Sequence, residues 1–481
     1  MKKSNLYRDD CRRSIGVHNC DRRCVCSAGR RTGRGNIFVY RRYAWRCCCR
    51  RKCHIENRRK SKWEEERLRG EIMDKYYDNG RPETVTGDFG TAWITTQDND
   101  DETMRMVRSV MNSSLSENTK VVIMPDCHVG KGCVVGFTQK LNEDNLRISP
   151  EIIGVDIGCN ITSMKFKADP SFMESEETLA QLDTFTRANI GIGIAAYAED
   201  GLSAREKSMI SKEDLKAFAD AEKLLKEDMP NPKEKVTSPG IEHQLKSVGS
   251  GNHFVELGKD PEDGFYWLTV HSGSRYFGQR VCHYYKYHAV RTCEDNKARD
   301  YKYLDRSTPY LERYLTCVDA CQRFSRLNHQ LILNKLGEFV IKGFFGKPLD
   351  YIGTMHNYID LEHMIIRKGS VSAQAGERLL IPFNMRDGVA VCEAKGNPEW
   401  NFSAPHGAGR CLSRAEAKLL LNAEAAAEDL KQHKVFSTSV EYSLDETPDA
   451  YKPMAQILEL IKPTVDVQFL IKPIWNIKGR S

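Results

Sequence analysis

Apolar residues in this chain of 481 residues fall into short blocks separated by glycine, proline and charged turns. Lys120-Val-Val-Ile-Met124 is a continuous apolar run of strand length, the pattern of a strand buried on both faces. It runs into Pro125-Asp-Cys-His-Val-Gly-Lys-Gly132. Cys133–Thr138 reads as a second strand. Further strands are predicted at 161–167, 265–270, 388–394 and 465–470, and 84–96 reads as strand with turns. Helical periodicity predicts helices over 101–111, 176–188, 204–227, 276–292 and 310–342. Met355-His-Asn-Tyr358 is read as the head of another helix. Ser413-Arg-Ala-Glu416 has the form of a capping box and predicts a helix running to about 433. Strands cluster instead of strictly alternating with helices, there is no internal repeat, and no long linker follows residue 85. Residues 70–481 are therefore expected to form one large α+β domain of clustered β-sheets with surrounding helices.

Residues 1–69 break this pattern, with no sustained period of 2 or 3.6. They hold 22 basic and 7 acidic side chains, a net of +15, whereas the remaining 412 residues hold 50 and 59, a net of −9. Eight of the 17 cysteines lie in residues 1–53. Cys20-x3-Cys24-x-Cys26 and Cys53-His54 raise a zinc reading, but the spacing fits no common finger. The stretch is expected to be a disordered basic tail rich in Cys and Arg, with a short charged helix at Lys60–Arg69. A translated upstream segment outside the mature protein is the other reading.

Composition narrows the class further. Hydrophobic residues make up 40% and mean hydropathy is −0.55, as in a soluble globular protein. No apolar window approaches membrane-spanning length, and the basic N-terminus lacks the apolar core of a secretory signal. Scattered single cysteines in the body predict a reducing cytoplasm. The acidic body gives no charge-based reason to bind nucleic acid.

Metal-ligand residue types recur beside glycine near the ends of predicted strands. Asp156 and Cys159 form a D-x-x-C pair, His253 sits in Gly-Asn-His, His271 follows an apolar strand, and His356 precedes Asn357. Each histidine alone is more often structural. Five such residues together favour a metal site, and an O/N/S set suits zinc, manganese or iron. Asn252, Glu256, Asn357, the Lys368-Gly-Ser loop and Lys478 suit a phosphate or nucleotide, although there is no P-loop and no dinucleotide fingerprint. Ser403-Ala-Pro-His-Gly-Ala-Gly-Arg410 places His406 on a tight loop before a predicted helix N-terminus. A neutral imidazole there can attack phosphorus. The plainer reading of the loop alone is a glycine turn with a solvated histidine.

These motifs together resemble the RtcB-type RNA ligases, GTP-dependent enzymes of tRNA splicing and RNA repair. The resemblance covers about residues 85–481. It rests on Pro125–Gly132, Gly154-Val-Asp-Ile-Gly-Cys159, Gly251-Asn-His-Phe-Val-Glu256, His271-Ser-Gly-Ser-Arg275, His356-Asn357, Arg367-Lys-Gly-Ser-Val-Ser-Ala-Gln374, Ser403–Arg410 and Ile477-Lys-Gly479. It implies that His406 becomes guanylylated and that Cys159 is shared by two Mn²⁺ ions. Asp156 and His253 would complete one ion site, and His271 and His356 the other. Asn252, His253, Phe254, Val255, Glu256, His356, Asn357, Pro382, Phe383, Asn384, Met385, His406, Gly407, Ala408, Gly409 and Lys478 match nucleotide-holding positions. Asn160 replaces the usual glycine after the metal cysteine, and Pro382-Phe-Asn-Met385 departs from the frequent Pro-Gly-Ser-Met. The implied reaction joins an RNA 3′-phosphate or 2′,3′-cyclic phosphate to a 5′-hydroxyl through a 3′-guanylate. Arg275, Arg280, Arg323 and Arg410 are candidates for holding RNA phosphates. The expected partners are GTP and RNA, an activating protein is left open, and no membrane partner is expected. A dinuclear metal phosphoesterase is the alternative, and a nucleic-acid-binding protein with an inactive body is a third reading.

Overall fold

The apolar run at 120–124 becomes the interior of the first of two sheets. The structure, a computed structural model, describes residues 83–96, 99–193, 201–230, 240–341 and 348–480. The expectations for the tail, its zinc reading and the helix at 60–69 lie outside the described residues.

The first sheet contains β1 (Glu83–Thr86), β2 (Thr91–Ile94), β3 (Lys120–His128), β4 (Val135–Lys140), β11 (Asn357–Asp360) and β12 (Ile365–Lys368). Their order is β1-β2-β3-β4-β12-β11, antiparallel except for β2 with β3. The second sheet is wholly antiparallel. It contains β5 (Asn160–Phe166), β8 (Phe254–Lys259), β9 (Tyr266–Ser272), β10 (Asp350–Met355), β14 (Arg378–Pro382), β15 (Val389–Ala394) and β17 (Val465–Lys478). Their order is β10-β5-β9-β8-β17-β15-β14. Its two edges approach one another, for the Leu380 N–H on β14 donates to Thr354 Oγ1 on β10 at 3.0 Å. Two short pairs complete the set. β6 (Gly191–Ile192) runs parallel to β7 (Ser247–Gly249), and β13 (Ser370–Ser372) pairs with β16 (Ser403–Pro405).

Among the described residues, eight α-helices have seven residues or more. They are α1 (Asp101–Met111), α2 (Glu176–Asn189), α3 (Lys212–Glu227), α4 (Arg275–Thr292), α5 (Tyr310–Val340), α6 (Arg414–Leu420), α7 (Ala423–Gln432) and α8 (Met454–Leu460). The N-terminal half of α5 packs in a core with the first sheet, α1, α3 and α4, while Ile332, Leu333, Leu336 and Val340 pack against the second sheet. This 31-residue helix therefore joins both cores. It also carries Ser325, Asn328 and His329, which share one face by their i, i+3, i+4 spacing. Ser325 Oγ accepts from Asn160 Nδ2 at 2.7 Å, Asn328 Nδ2 donates to the Ser247 carbonyl at 2.8 Å, and His329 Nε2 donates to the Ser272 carbonyl at 3.1 Å. One polar row thus holds the ends of β5, β7 and β9 in place.

Four predicted elements differ. Residues 355–358 do not open a helix. β10 ends at Met355 and β11 begins at Asn357, because Met355 pairs with Asn160 and Asn357 with Lys368. The helix predicted over 204–227 is split: Ala204–Lys207 forms one turn, and Ser211 recaps α3 by accepting from the Asp214 N–H. The helix opened by the Ser413–Glu416 capping box ends at Leu420, and Asn422 caps α7. The last strand extends to Lys478, pairing with β15 as far as Ile471 and with β8 from Lys472, where the register shifts between Pro473 and Trp475.

Arg367 on β12 is fully buried. Its Nη1 donates to Asp360 Oδ2 and to Tyr358 Oη, both at 2.9 Å, Nε donates to Ser403 Oγ at 2.9 Å, and Nη2 donates to the Phe402 carbonyl at 3.1 Å. It ties the first sheet to β16, the strand leading into His406. Burial alone would raise the Asp360 carboxyl, but hydrogen bonds from Arg367 and the His363 amide hold it below the usual range. Arg367→Met leaves a carboxylate half-buried without its cation. A loss of about 3–5 kcal/mol in urea unfolding is expected. A loss within experimental error would show that this tie is dispensable.

Candidate active site

Strand register gathers the five candidate metal ligands. β10, β5, β9 and β8 are neighbours, with Asn160 opposite both Met355 and Ser272, and Phe254 opposite His271. Cys159 and His253 therefore precede their strands, His271 lies inside β9, and His356 sits between β10 and β11. The sequence alone places these residue types beside glycine near the ends of predicted strands, with His356 at the head of a helix. The Asp156–Cys159 turn is closed by the Cys159 N–H donating to the Asp156 carbonyl at 3.2 Å. Gly158 takes φ +73° there, and a Cβ would lie 3.0 Å from the Gln322 Cα, so the turn needs glycine. The Asn160 side chain fits behind it, donating to the Gly158 carbonyl at 3.2 Å as well as to Ser325.

Two donor sets result, Asp156–Cys159–His253 and Cys159–His271–His356, and Cys159 belongs to both. Cys159 Sγ is 3.4 Å from His253 Nε2 and 3.2 Å from His271 Nε2, and His271 Nε2 is 3.2 Å from His356 Nε2. His253 Nδ1 donates to the Val248 carbonyl at 3.0 Å, which leaves Nε2 as a bare lone pair 3.1 Å from Asp156 Oδ2. Two acceptors facing each other fit a cation between them. Burial, followed by Asp156, pushes the Cys159 thiol well above its ordinary range, and burial pushes His271 and His356 well below theirs. Neutral imidazoles are ligand-ready, while the thiol needs a positive charge beside it to ionise. The donor set therefore fits divalent metal.

His406 follows β16 directly, eight residues before α6. Its Nδ1–H donates to Asp126 Oδ2 at 2.7 Å, so Nε2 carries the lone pair. Asp126 is fully buried at the end of β3. The Asp126 carbonyl also accepts from His128 Nδ1 at 2.8 Å. Burial keeps the His128 imidazole neutral, at about 3. Gly409 has φ +75°, and a Cβ there would lie 2.2 Å from the Asp126 carbonyl oxygen, so the second glycine lets the loop close onto β3. The His406 and His356 ring centroids are 4.9 Å apart.

A cleft of about 1080 Å³ opens beside His406. Asn252, Phe254, Glu256, His271, Pro382, Phe383, Asn384, Met385, His406, Gly407, Ala408, Gly409 and Lys478 line it. Asn384 closes its own turn, where its Oδ1 accepts from the Arg386 and Asp387 amides at 2.9 Å. At the inner end, Glu256 Oε2 accepts from Asn476 Nδ2 at 2.8 Å, while Oε1 is buried with no hydrogen-bond partner. Lys478 Nζ lies 5.0 Å above the Phe254 ring and 3.9 Å from Glu446 Oε2. Burial pulls its ammonium below the usual lysine range, against Glu446 and Glu256.

Some predicted residues stand elsewhere. Strand alternation turns the Val255 side chain into the core of the second sheet. Asn357 is spent on the loops, donating to the Asp156 carbonyl at 3.1 Å and accepting from the Gly369 N–H at 2.8 Å. Arg323 pairs with Asp319 and Asp214, and Arg280 is buried over Tyr284. Arg410 reaches the cleft wall, but its three nitrogens bond Leu412, Glu446 and Asp445. Arg275 lies at the donor cluster, with Nη1 3.4 Å from His253 Nδ1. Sequence reading assigned no role to Asp126, Glu446, Tyr451 or Asn476. Asp126 carried a signal, a carboxylate just past an apolar strand-length run and within the Pro125–Gly132 motif. Glu446 and Tyr451, which hydrogen-bond each other at the cleft, lie in irregular chain without one.

The family model described as tRNA-splicing ligase RtcB matches residues 107–479. The chain is 28% identical over 388 residues to RNA-splicing ligase RtcB of Escherichia coli K12, covering 75% of this chain and 90% of that protein. It is 26% identical over 399 residues to RNA-splicing ligase RtcB of Mycobacterium tuberculosis, covering 70% and 91%. It is 25% identical over 435 residues to tRNA-splicing ligase RtcB of Nanoarchaeum equitans, covering 75% and 88%. The chain belongs to the RtcB ligase family.

Two outcomes follow from this geometry. Cys159 alone is common to both donor sets, so Cys159→Ala is expected to remove bound divalent metal from both while circular dichroism stays native. Elemental analysis reading full occupancy would take Cys159 out of the site. Glu256 offers a pH signature. Burial raises its carboxyl to about 7. A raised acid binds its proton more tightly folded than unfolded, so its contribution is favourable at low pH and is lost as pH rises from about 4.3 to 7. Relative to Glu256→Gln, the parent should lose roughly 2–3 kcal/mol of unfolding stability between pH 5 and pH 8. Parallel stability curves would place Glu256 in a solvated setting.

Proposed function

We propose that the protein is a GTP-dependent RNA ligase that joins an RNA 3′-phosphate, or a 2′,3′-cyclic phosphate once water has opened it, to a 5′-hydroxyl end, in tRNA splicing or RNA repair. The observation that carries this is His406, with Nε2 bare, Nδ1 held by buried Asp126, and the ring at the junction of the cleft and the donor cluster. Asp156, Cys159, His253, His271 and His356 would hold two Mn²⁺ ions, which supply positive charge to phosphate oxygens and favour the thiolate.

The cleft takes the GTP. Glu256 presents an unpaired acceptor to the base, Lys478 lies beside it, and Phe254 and the 382–385 turn line the walls. His406 Nε2 attacks the α-phosphorus, the N–P bond forms, and the bond to the pyrophosphate oxygen breaks. Positive charge appears on the imidazole, and Asp126 stabilises it through the Nδ1–H bond it already accepts. An oxygen of the RNA 3′-phosphate then attacks the same phosphorus and frees His406. The 5′-hydroxyl oxygen attacks the activated RNA phosphorus, its proton is lost, and GMP departs. A dinuclear phosphoesterase would use the same donor cluster but has no need of a nucleophilic histidine oriented by a buried carboxylate. A cytoplasmic location belongs to the same reading. It accords with the cysteines among the described residues, seven of which are buried within the fold.

Incubation with α-labelled GTP and Mn²⁺ should give an acid-labile, alkali-stable GMP adduct that maps to His406. His406→Ala should abolish both the adduct and joining of 3′-phosphate ends, yet still join RNA supplied with a 3′-guanylate. An adduct on a lysine, or one retained in His406→Ala, would sink the assignment.

A further inference from the structure

Helix α4 begins at the donor cluster and leaves it along the surface. Arg275, its first residue, touches His253, and 18 residues carry the helix about 27 Å away. The chain outside residues 1–69 is net acidic, yet α4 contains no acidic side chain. Its exposed face carries Tyr276, His283, Lys286, Tyr287 and Arg291. Tyr276, Tyr287 and Val290 on this face are 44%, 37% and 57% exposed, so both rings are open to solvent. The Arg291 guanidinium lies 5.1 Å above the Tyr287 ring, which fixes cation and aromatic plane together.

The face is continuous with the cleft through the loop after β3. Val129 of that loop lines the cleft, and Lys131, two residues on, is exposed. The Lys131 carbonyl accepts from buried Lys368 Nζ at 2.6 Å, which pins the loop. Lys286 pairs with Glu151, and a Cβ on Gly132 would meet Glu151, so helix and loop abut. Burial, then the charges of Lys131 and Lys286, hold the His283 imidazole below its ordinary range, which places all three together.

We propose that the exposed face of α4 with Lys131 is a track for single-stranded RNA next to its reacting end. Flat rings alternating with cations suit stacked bases and a phosphate chain, and bind without reading sequence. An acidic protein would also meet the cations, but it gives no reason for solvent-facing tyrosines about three turns apart on a helix that starts at the reactive centre. The proposal rests on the ligase reading, and the two fail separately.

The test uses the full-length protein with fluorescent single-stranded RNA of about 20 nucleotides, long enough to cover the helix and the cleft. Tyr287→Ala/Arg291→Ala should raise its Kd about ten-fold and make the salt dependence shallower by about 0.7 in log–log slope for each phosphate no longer neutralised. The GMP adduct formed from GTP without RNA should be unchanged, as should joining of ends too short to reach Tyr287. Lys131→Glu should weaken RNA binding in the same way. An unchanged Kd and salt slope in both variants would overturn the track. So would intact RNA binding alongside loss of a protein partner. Absence of any adduct in the parent protein would instead overturn the ligase reading, while the Kd comparison would still decide the track.

Discussion

The structure turns on one electrostatic problem: a buried thiol and three buried imidazole nitrogens meet a half-buried carboxylate with few protons between them. Left alone, such lone pairs repel, and each would prefer water. They stay together because their backbones are fixed by strand pairing on four adjacent strands, and because the second nitrogen of His253 is tied to a carbonyl. The cost of assembling the donors is thus carried by the sheet, and a cation entering the centre relieves repulsion instead of creating order. The same logic governs His406, whose tautomer is settled before any substrate arrives.

Helix α5 makes that sheet rigid where it matters. Its apolar side chains pass from one core to the other, and its Ser325, Asn328 and His329 reach the strand ends that carry the donors. Asn160 shows how local the constraint is. Its side chain is accommodated because its amide finds the Gly158 carbonyl and Ser325 behind the cysteine.

Much of the centre was legible from residue type. Asp, Cys and His beside glycine are unusual in apolar strands, and the capping box at Ser413 marks a true helix start. What escaped was set by long-range pairing. Residues 355–358 carry no local signal against a helix, and only register with β5 and β12 makes them two strands around His356. Strand alternation, invisible in a motif, sends Phe254 and Glu256 to the cleft and Val255 to the core. Arg410 belongs to a motif, yet its donors are taken by the 445–446 turn, which sequence reading passed over. Asp126 was visible as a charge just past an apolar run, but its partner lies 280 residues away.

The sharing of Cys159 between two donor sets has a consequence for how the protein is made. The donors come from positions spread over two hundred residues, and the two sets stand together only once β8, β9 and β10 have all assembled with β5, a late event in any chain dominated by such distant pairings. A nascent or partly folded chain offers scattered single ligands, which hold metal weakly. Loading is therefore a report on completed folding: the centre fills only after the strands that define it have closed, and misfolded copies stay empty.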